Sequence, residues 1–275
     1  MSERTLSVLD GSTFVVGDRR GDVRTDAGRE HGFFCDDTRF LSRWVLHVGE
    51  SPLELLGLDQ SAHFAAQFFL TPHVGPDEEA PCSIMRSRLI DHVWMEEVTV
   101  TNHRHEHSEV RVTLEVDADF ADLFEVKDGV VAKRDVSCRH DDGTLTLAYE
   151  HAGFQRSLTI AASRMAAVTR QGFAYSLRLA PGEQWSTTFT LTPHAAQLGV
   201  AFAQRKPRGS LAQLRASKSA ELERWLAGAP VLQTQDTSLA RTYRASLSDL
   251  GALRLHPDLF EGATLPAAGL PWFMA

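Results

Sequence analysis

The chain has 275 residues, 43% of them hydrophobic, which excludes a disordered protein and admits one large all-β domain or two smaller units. With 28 basic against 36 acidic residues the formal charge is -8, so no global field draws the chain to phosphate backbones or anionic lipid, and no nucleic-acid partner is expected. The start "MSERTLSVLDGSTFVV" lacks an apolar core behind a basic flank, and no run reaches the roughly 20 apolar residues of a membrane span, which together predict a cytoplasmic protein without membrane contact.

From about residue 5 to residue 192 the sequence reads as short strands separated by turn residues, the pattern of an antiparallel sandwich. The first turn signal is "VGDRRGDV" near residue 20. Residues 31–48, "HGFFCDDTRFLSRWVLHV", set Asp36, Asp37, Arg39 and Arg43 among Phe33, Phe34, Phe40, Leu41 and Trp44. Arg and Asp beside aromatic rings are the groups that line a sugar site, but a strand-edge ion pair explains them as simply and is the favoured reading. Cys35, Cys82 and Cys138 are odd in number, far apart and outside any CxxC pair, which predicts free buried thiols in a reducing compartment and neither a disulfide nor a cysteine zinc site.

Further on, "NHRHEH" alternates His103, His105 and His107, three imidazoles of the kind that bind zinc. The flanks "MEEVTVTN" and "EVRVTLEV" are strand-like, so a solvated hairpin tip is the favoured reading, and neither a metal nor another cofactor is expected. In "EVRVTLEV" Val110, Val112, Leu114 and Val116 share one face. Residues 117–126, "DADFADLFEV", group Asp117, Asp119, Asp122 and Glu125 around Phe120, Leu123 and Phe124. Paired carboxylates are what a glycosidase uses, yet a short helical turn with Asp caps closing the preceding strand is preferred. "HDDGTL" at 140–145 and "APGEQ" at 180–184 are turn signals from which hairpins are expected. Between and after them, Phe173, Tyr175, Leu177 and Leu179 share a face, as do Trp185, Thr187, Phe189 and Leu191.

After "LTPHAAQLG" the period changes. "AQRKPRGS" at 203–210 is the best linker candidate. Residues 210–226 predict an amphipathic helix with Ser210 as N-cap and Leu211, Leu214, Leu222, Trp225 and Leu226 on or near one face. A second helix is predicted over 237–255, with Leu239, Tyr243, Leu247 and Leu250 at helical spacing and Pro257 ending it. Two helices cannot build a bundle core unless they pack on the sheet or meet more helices, and the chain shows no others, no internal repeat and no low-complexity segment. No GxGxxG, P-loop, GxSxG or HExxH motif is present, so nucleotide binding and the common hydrolase motifs have no support.

Taken together, "GFFCDDTRFLSRWVLHV", "DADFADLFEV", "SLSDLGALR" and the terminal "AAGLPWFMA" resemble the N-terminal region of bacterial glycogen debranching enzymes of the amylo-alpha-1,6-glucosidase type. The resemblance implies a mainly β fold, an antiparallel β-supersandwich of the galactose-mutarotase-like kind, followed by a linker and two helices that begin an (α/α)6 toroid. It implies three regions: a β-sandwich over 1–202, a linker and linking helix over 203–235, and the start of a truncated helical catalytic domain over 236–275. The family hydrolyses α-1,6-linked glucose at glycogen branch stubs with carboxylates carried by the toroid, so the resemblance implies that this chain has no catalytic residues and that its partners are an α-glucan or oligosaccharide and the missing helical domain. Pro271, Trp272 and Phe273 match the start of a family loop that continues into a substrate-binding Phe-Gly-Arg-Asp-Ser segment, and they are carried over as an incomplete substrate-binding rim. The expected function is a non-catalytic scaffold for that catalytic domain. A stand-alone carbohydrate-binding or interaction module is the alternative, and a metal-dependent enzyme using the three histidines a third reading.

Overall fold

A computed structural model describes residues 5–28, 30–75, 78–197, 200–201, 209–255 and 265–266. The chain runs through β1 (Leu6–Asp10), β2 (Thr13–Gly17), β3 (Val23–Arg24), β4 (Gly32–Cys35), β5 (Thr38–Leu41), β6 (Arg43–Val48), β7 (Leu53–Ala62), β8 (Ala65–Pro72), β9 (Cys82–Ile90), β10 (Trp94–Asn102) and β11 (Ser108–Asp117). A short helix α1 (Leu123–Asp128) precedes β12 (Ser137–Asp141), β13 (Thr144–His151), β14 (Phe154–Ala162), β15 (Ala167–Thr169), β16 (Gly172–Leu179), β17 (Gln184–Gln197) and β18 (Val200–Ala201). Then come α2 (Leu211–Ala227), α3 (Thr237–Ala252), β19 (Arg254–Leu255) and β20 (Leu265–Pro266).

Every strand pairing is antiparallel. A nine-stranded sheet, β12-β13-β14-β17-β10-β9-β8-β7 with β18 beside β17, faces a five-stranded sheet, β15-β16-β11-β6-β3. The expected period of two explains the contact. Trp44 of the smaller sheet meets Trp94 of the larger at 5.1 Å, Phe173 meets Phe189 at 5.2 Å, and Tyr175 meets Trp185 at 4.8 Å. Each fully buried ring of this kind contributes roughly 1.5–3 kcal/mol, so these facing rows are the main weld between the sheets.

The four-stranded sheet β1-β2-β4-β5 closes the sandwich. Phe33 and Phe34 are neighbours in β4 and therefore point to opposite faces: Phe33 joins the main core against Trp94, while Phe34 stacks on Phe14 at 4.7 Å in a second core capped by Ala121 and Val126. The helical turn expected near residue 122 is α1, whose capping box pairs Asp122 with Glu125.

Turn chemistry locates the turns correctly but not what they join. Of the turn signals read from the sequence only 140–145 closes a hairpin, with Asp142 at φ 34° and Gly143 at φ 76°. The turn near residue 20 passes from β2 to β3, in different sheets, and the segments at 103–107 and 180–184 both arch between the five- and nine-stranded sheets. Asn102 is the physical reason for the last two. Its buried side-chain amide donates to the carbonyls of Glu106, Leu179 and Ala180, and its Oδ1 accepts from the Arg104 amide and the Ser108 hydroxyl, tying both arches together.

The helix expected over 210–226 is α2, opened by Ser210 in a capping box with Gln213. It docks through Leu214, with Leu211 and Leu222, on Phe64, Leu89 and Met95. Lys218 adds ion pairs to Asp10 at 2.8 Å and Asp91 at 3.4 Å. The helix expected over 237–255 starts on its Asp236 cap but ends at Ala252, and β19 begins two residues later. Pairing of Arg254 and Leu255 with β20 ends the helix before Pro257 is reached. The linker candidate at 203–210 lies almost wholly outside the described residues, and so does the tail from residue 267 onward.

Candidate functional site

The two charged clusters singled out in the sequence converge. Arg39 is buried near the start of β5, and its Nε and Nη2 donate to Asp119 Oδ1 and Oδ2 at 3.1 and 2.5 Å. The Ala121 carbonyl accepts from the Arg39 amide, and Thr38 bridges to Asp122. Arg43, on the next strand, turns instead to Glu115 at 2.6 Å, and Asp36 and Asp37 remain exposed. Asp122 caps α1, and Glu125 pairs with Arg134 at 2.6 Å. Burial works against ionisation of Glu125, but the Arg134 hydrogen bond and two backbone amides outweigh it and hold the carboxyl below its ordinary value. Arg39, Arg43, Asp117, Asp119, Asp122 and Glu125 thus all have structural partners, as the cap and ion-pair readings anticipated.

His103, His105 and His107 lie exposed on the inter-sheet arch, with His103 Nε2 2.7 Å from the Ser83 hydroxyl. They do not converge as ligands. Among the described residues the group that does is Asp10, Asp91 and His92, with ligand atoms within 4.8 Å of one another, and there the Lys218 ammonium already supplies the positive charge.

Sequence reasoning missed the most buried polar cluster. Arg86, Arg88 and Glu96 point into the sandwich core from β9 and β10, with Arg88 directly opposite Glu96. Glu96 accepts from Arg86 at 2.9 Å, Arg88 at 2.8 Å and the Trp44 indole at 3.0 Å. Arg86 also reaches Asp22 at 2.6 Å, and both guanidiniums bond carbonyls of the turn at Arg20 and Gly21. Burial alone would raise the Glu96 carboxyl, but the two flanking arginines hold it below its ordinary value. For Asp22 burial wins over Arg86 and the carboxyl is raised. The available signal was "MRSRL", whose arginines share one strand face with the apolar inward residues. With every member paired and sealed from water, the cluster serves to fix the 18–22 turn on the large sheet.

The accessible geometry lies on the other side of that sheet. Two adjoining depressions of about 630 and 430 Å³ open on its outer face, and Glu97 lines both. The larger is floored by β7 to β10 and β17, and the smaller lies between β10, β14, β17 and the Ser210 end of α2. In the larger, one wall is apolar, with Leu56, Phe69 and Met85, and the other carries Glu97, Thr99 and Gln184. None of the last three side chains hydrogen-bonds another described residue. Their volumes fall within the usual range for small-ligand sites. Pro271, Trp272 and Phe273 lie outside the described residues, so nothing places them near either depression.

Comparison with known proteins adds the family. The model for the N-terminal domain of (some) glycogen debranching enzymes matches residues 8–190. No curated protein sequence matches the chain. Among solved structures, a protein assigned as a kojibiose phosphorylase from the human microbiome superposes with TM-score 0.42 at 11% identity, over 81% of this chain and 29% of its own. A polysaccharide lyase gives 0.37 at 11% identity, over 71% and 33%. A galactose mutarotase-like protein from Clostridium acetobutylicum gives 0.23 at 11% identity, over 70% and 79%. These scores are too low to define a shared fold, which rests on the strand pairing itself, and the chain spans about a third or less of the first two proteins. The family match covers the four-stranded sheet, the sandwich and the converging Arg39–Asp119 clusters, and the chain belongs to the family of N-terminal domains of glycogen debranching enzymes.

Proposed function

We propose that the chain is the non-catalytic scaffold of a debranching-type glycoside hydrolase acting on glycogen or a related α-glucan in the cytoplasm, with α3 opening a helical catalytic region. On this reading residues 1–202 form the scaffold, 203–235 connect, 236–275 belong to the helical region, and Pro271, Trp272 and Phe273 contribute to a sugar rim completed elsewhere. The observation that carries it is the apolar side of the helical pair. Leu239 and Leu250 of α3 are 49% and 51% exposed, and Val231 in the α2–α3 connection is 84% exposed. A helix whose leucines face water gains nothing from its own spacing and needs a further packed layer. Consistent with a scaffold, Asp119, Asp122 and Glu125 of the two sequence clusters act in caps and ion pairs.

The test is the double substitution Leu239→Lys with Leu250→Lys. Surface positions awaiting a partner should tolerate it within about 0.5 kcal/mol of unfolding free energy while self-association falls. A loss above about 2 kcal/mol would mean that the leucines already pack within this chain.

A further inference from the structure

The outer face of the nine-stranded sheet carries an amphipathic trough. Its apolar wall is built by an irregularity. The β7–β8 register slips between Leu55 and Gly57, leaving Leu56 unpaired and 67% exposed, beside Phe69 at 39%. Bulges of this kind re-aim side chains and recur next to functional sites, and here the slip holds an apolar side chain in water at a cost in stability. From that wall the pairing runs straight across the sheet: Phe69 opposes Met85, Met85 opposes Thr99, and Thr99 opposes Ser186. The next row places Gln67, Ser87, Glu97 and Thr188 in line. Strand spacing of about 4.8 Å makes each row about 14 Å long, so an extended ligand can lie along it.

The chemistry of the trough selects its ligand. The Glu97 carboxylate, Thr99 hydroxyl and Gln184 amide, whose side chains hydrogen-bond no other described residue, offer hydrogen bonds to a ligand dense in hydroxyls, and they stand on strands that fix their positions. Among the described residues no Lys, Arg or His lines the larger depression, and the Glu97 carboxylate there disfavours anionic ligands. Phe69 and Leu56 present an apolar surface of the kind that packs against the C–H face of one pyranose, while further sugars of an extended chain reach Glu97 and Thr99 two strands away and Gln184 three strands away.

We propose that this trough binds an α-glucan segment, with Phe69 and Leu56 as platform and Glu97, Thr99 and Gln184 as hydroxyl partners. The α-linkage rests on the α-glucan reading above.

The test is calorimetric titration of the full 275-residue chain with maltoheptaose, repeated on Phe69→Ala and Glu97→Gln, with cellohexaose as the β-linked comparison. Binding by the unsubstituted chain, weakened at least about tenfold by each substitution at unchanged circular dichroism and melting midpoint, is expected. Thr159→Val, on β14 and lining neither depression, should leave binding unaltered. Absence of maltoheptaose binding, unsubstituted affinity in both variants, or equal affinity for cellohexaose would overturn the proposal. Failure of the trough and failure of the scaffold reading separate cleanly: lost binding without glucose release removes only the trough, whereas glucose release by the chain removes only the scaffold.

Discussion

Arg39 and Asp119, 80 residues apart in sequence, form a two-pronged ion pair in which the guanidinium is 3% exposed and the carboxylate 25%. It joins the strand that follows "CDD" to the loop before α1, and so locks the four-stranded sheet onto the end of β11. Because the arginine is sealed and the aspartate is not, the two ends are unequal. Asp119→Ala removes the opposing charge from a buried arginine that keeps its bond to the His31 carbonyl, and should cost about 2–3 kcal/mol, somewhat below a wholly sealed pair because water reaches the gap. Arg39→Lys keeps the charge but loses the fork and should recover only part of that stability. Urea midpoints for the two variants check this order, and equal midpoints for Asp119→Ala and the unsubstituted protein would remove the pair's structural role.

Asn102 should be among the most sensitive polar positions. Replacing it with Ala removes the side-chain bonds to Glu106, Leu179, Ala180, Arg104 and Ser108, so that only the backbone bonds of residue 102 with Gly182 and Glu183 still tie it to the 180–184 arch. The expected loss is about 3 kcal/mol, read from chemical denaturation. Hydrogen exchange should quicken first at the two arches, because the flanking strands keep their own ladders.

His63 sets a pH dependence. The ring is partly buried where β8 begins, its Nδ1 has no hydrogen-bond partner among the described residues, and Asp10, Lys218, Arg254 and Asp249 surround it. Burial outweighs the attraction of Asp10 and Asp249 and lowers its pKa below the ordinary 6.5. A histidine with a lowered folded pKa contributes stability fully above the unfolded pKa and loses it as pH falls from 6.5 through the folded pKa. His63→Gln should therefore narrow the difference in urea midpoint between about pH 7.5 and about pH 5.5. An unchanged difference would assign that slope to other histidines.

Much of the fold was legible in the sequence, and the limits were physical. The faces of Val112, Leu114 and Val116, of Phe173 and Tyr175, and of Phe189 and Leu191 were readable because a strand half-buried on one side writes its pattern with period two. The caps at Asp122 and Ser210 were readable because capping is a local bond. Which sheet a strand joins is not local. The sequence could not show that β10 and β11 separate into different sheets, since Asn102 fixes that through carbonyls 77 and 78 residues away. The Arg86–Glu96–Arg88 cluster hid for a similar reason: inward arginines look like surface residues until Glu96 is seen between them. Of the candidate site, Glu97, Thr99 and Gln184 read as ordinary solvent-facing strand positions, and the slip that extrudes Leu56 exists only in the pairing.

The most direct measurement is glucose release from a branched limit dextrin by the purified 275-residue chain, with and without a chelator. A non-catalytic scaffold predicts no glucose above the buffer control under either condition. Sustained glucose release that survives the chelator would contradict it, because the β region would then contain a working acid and base of its own.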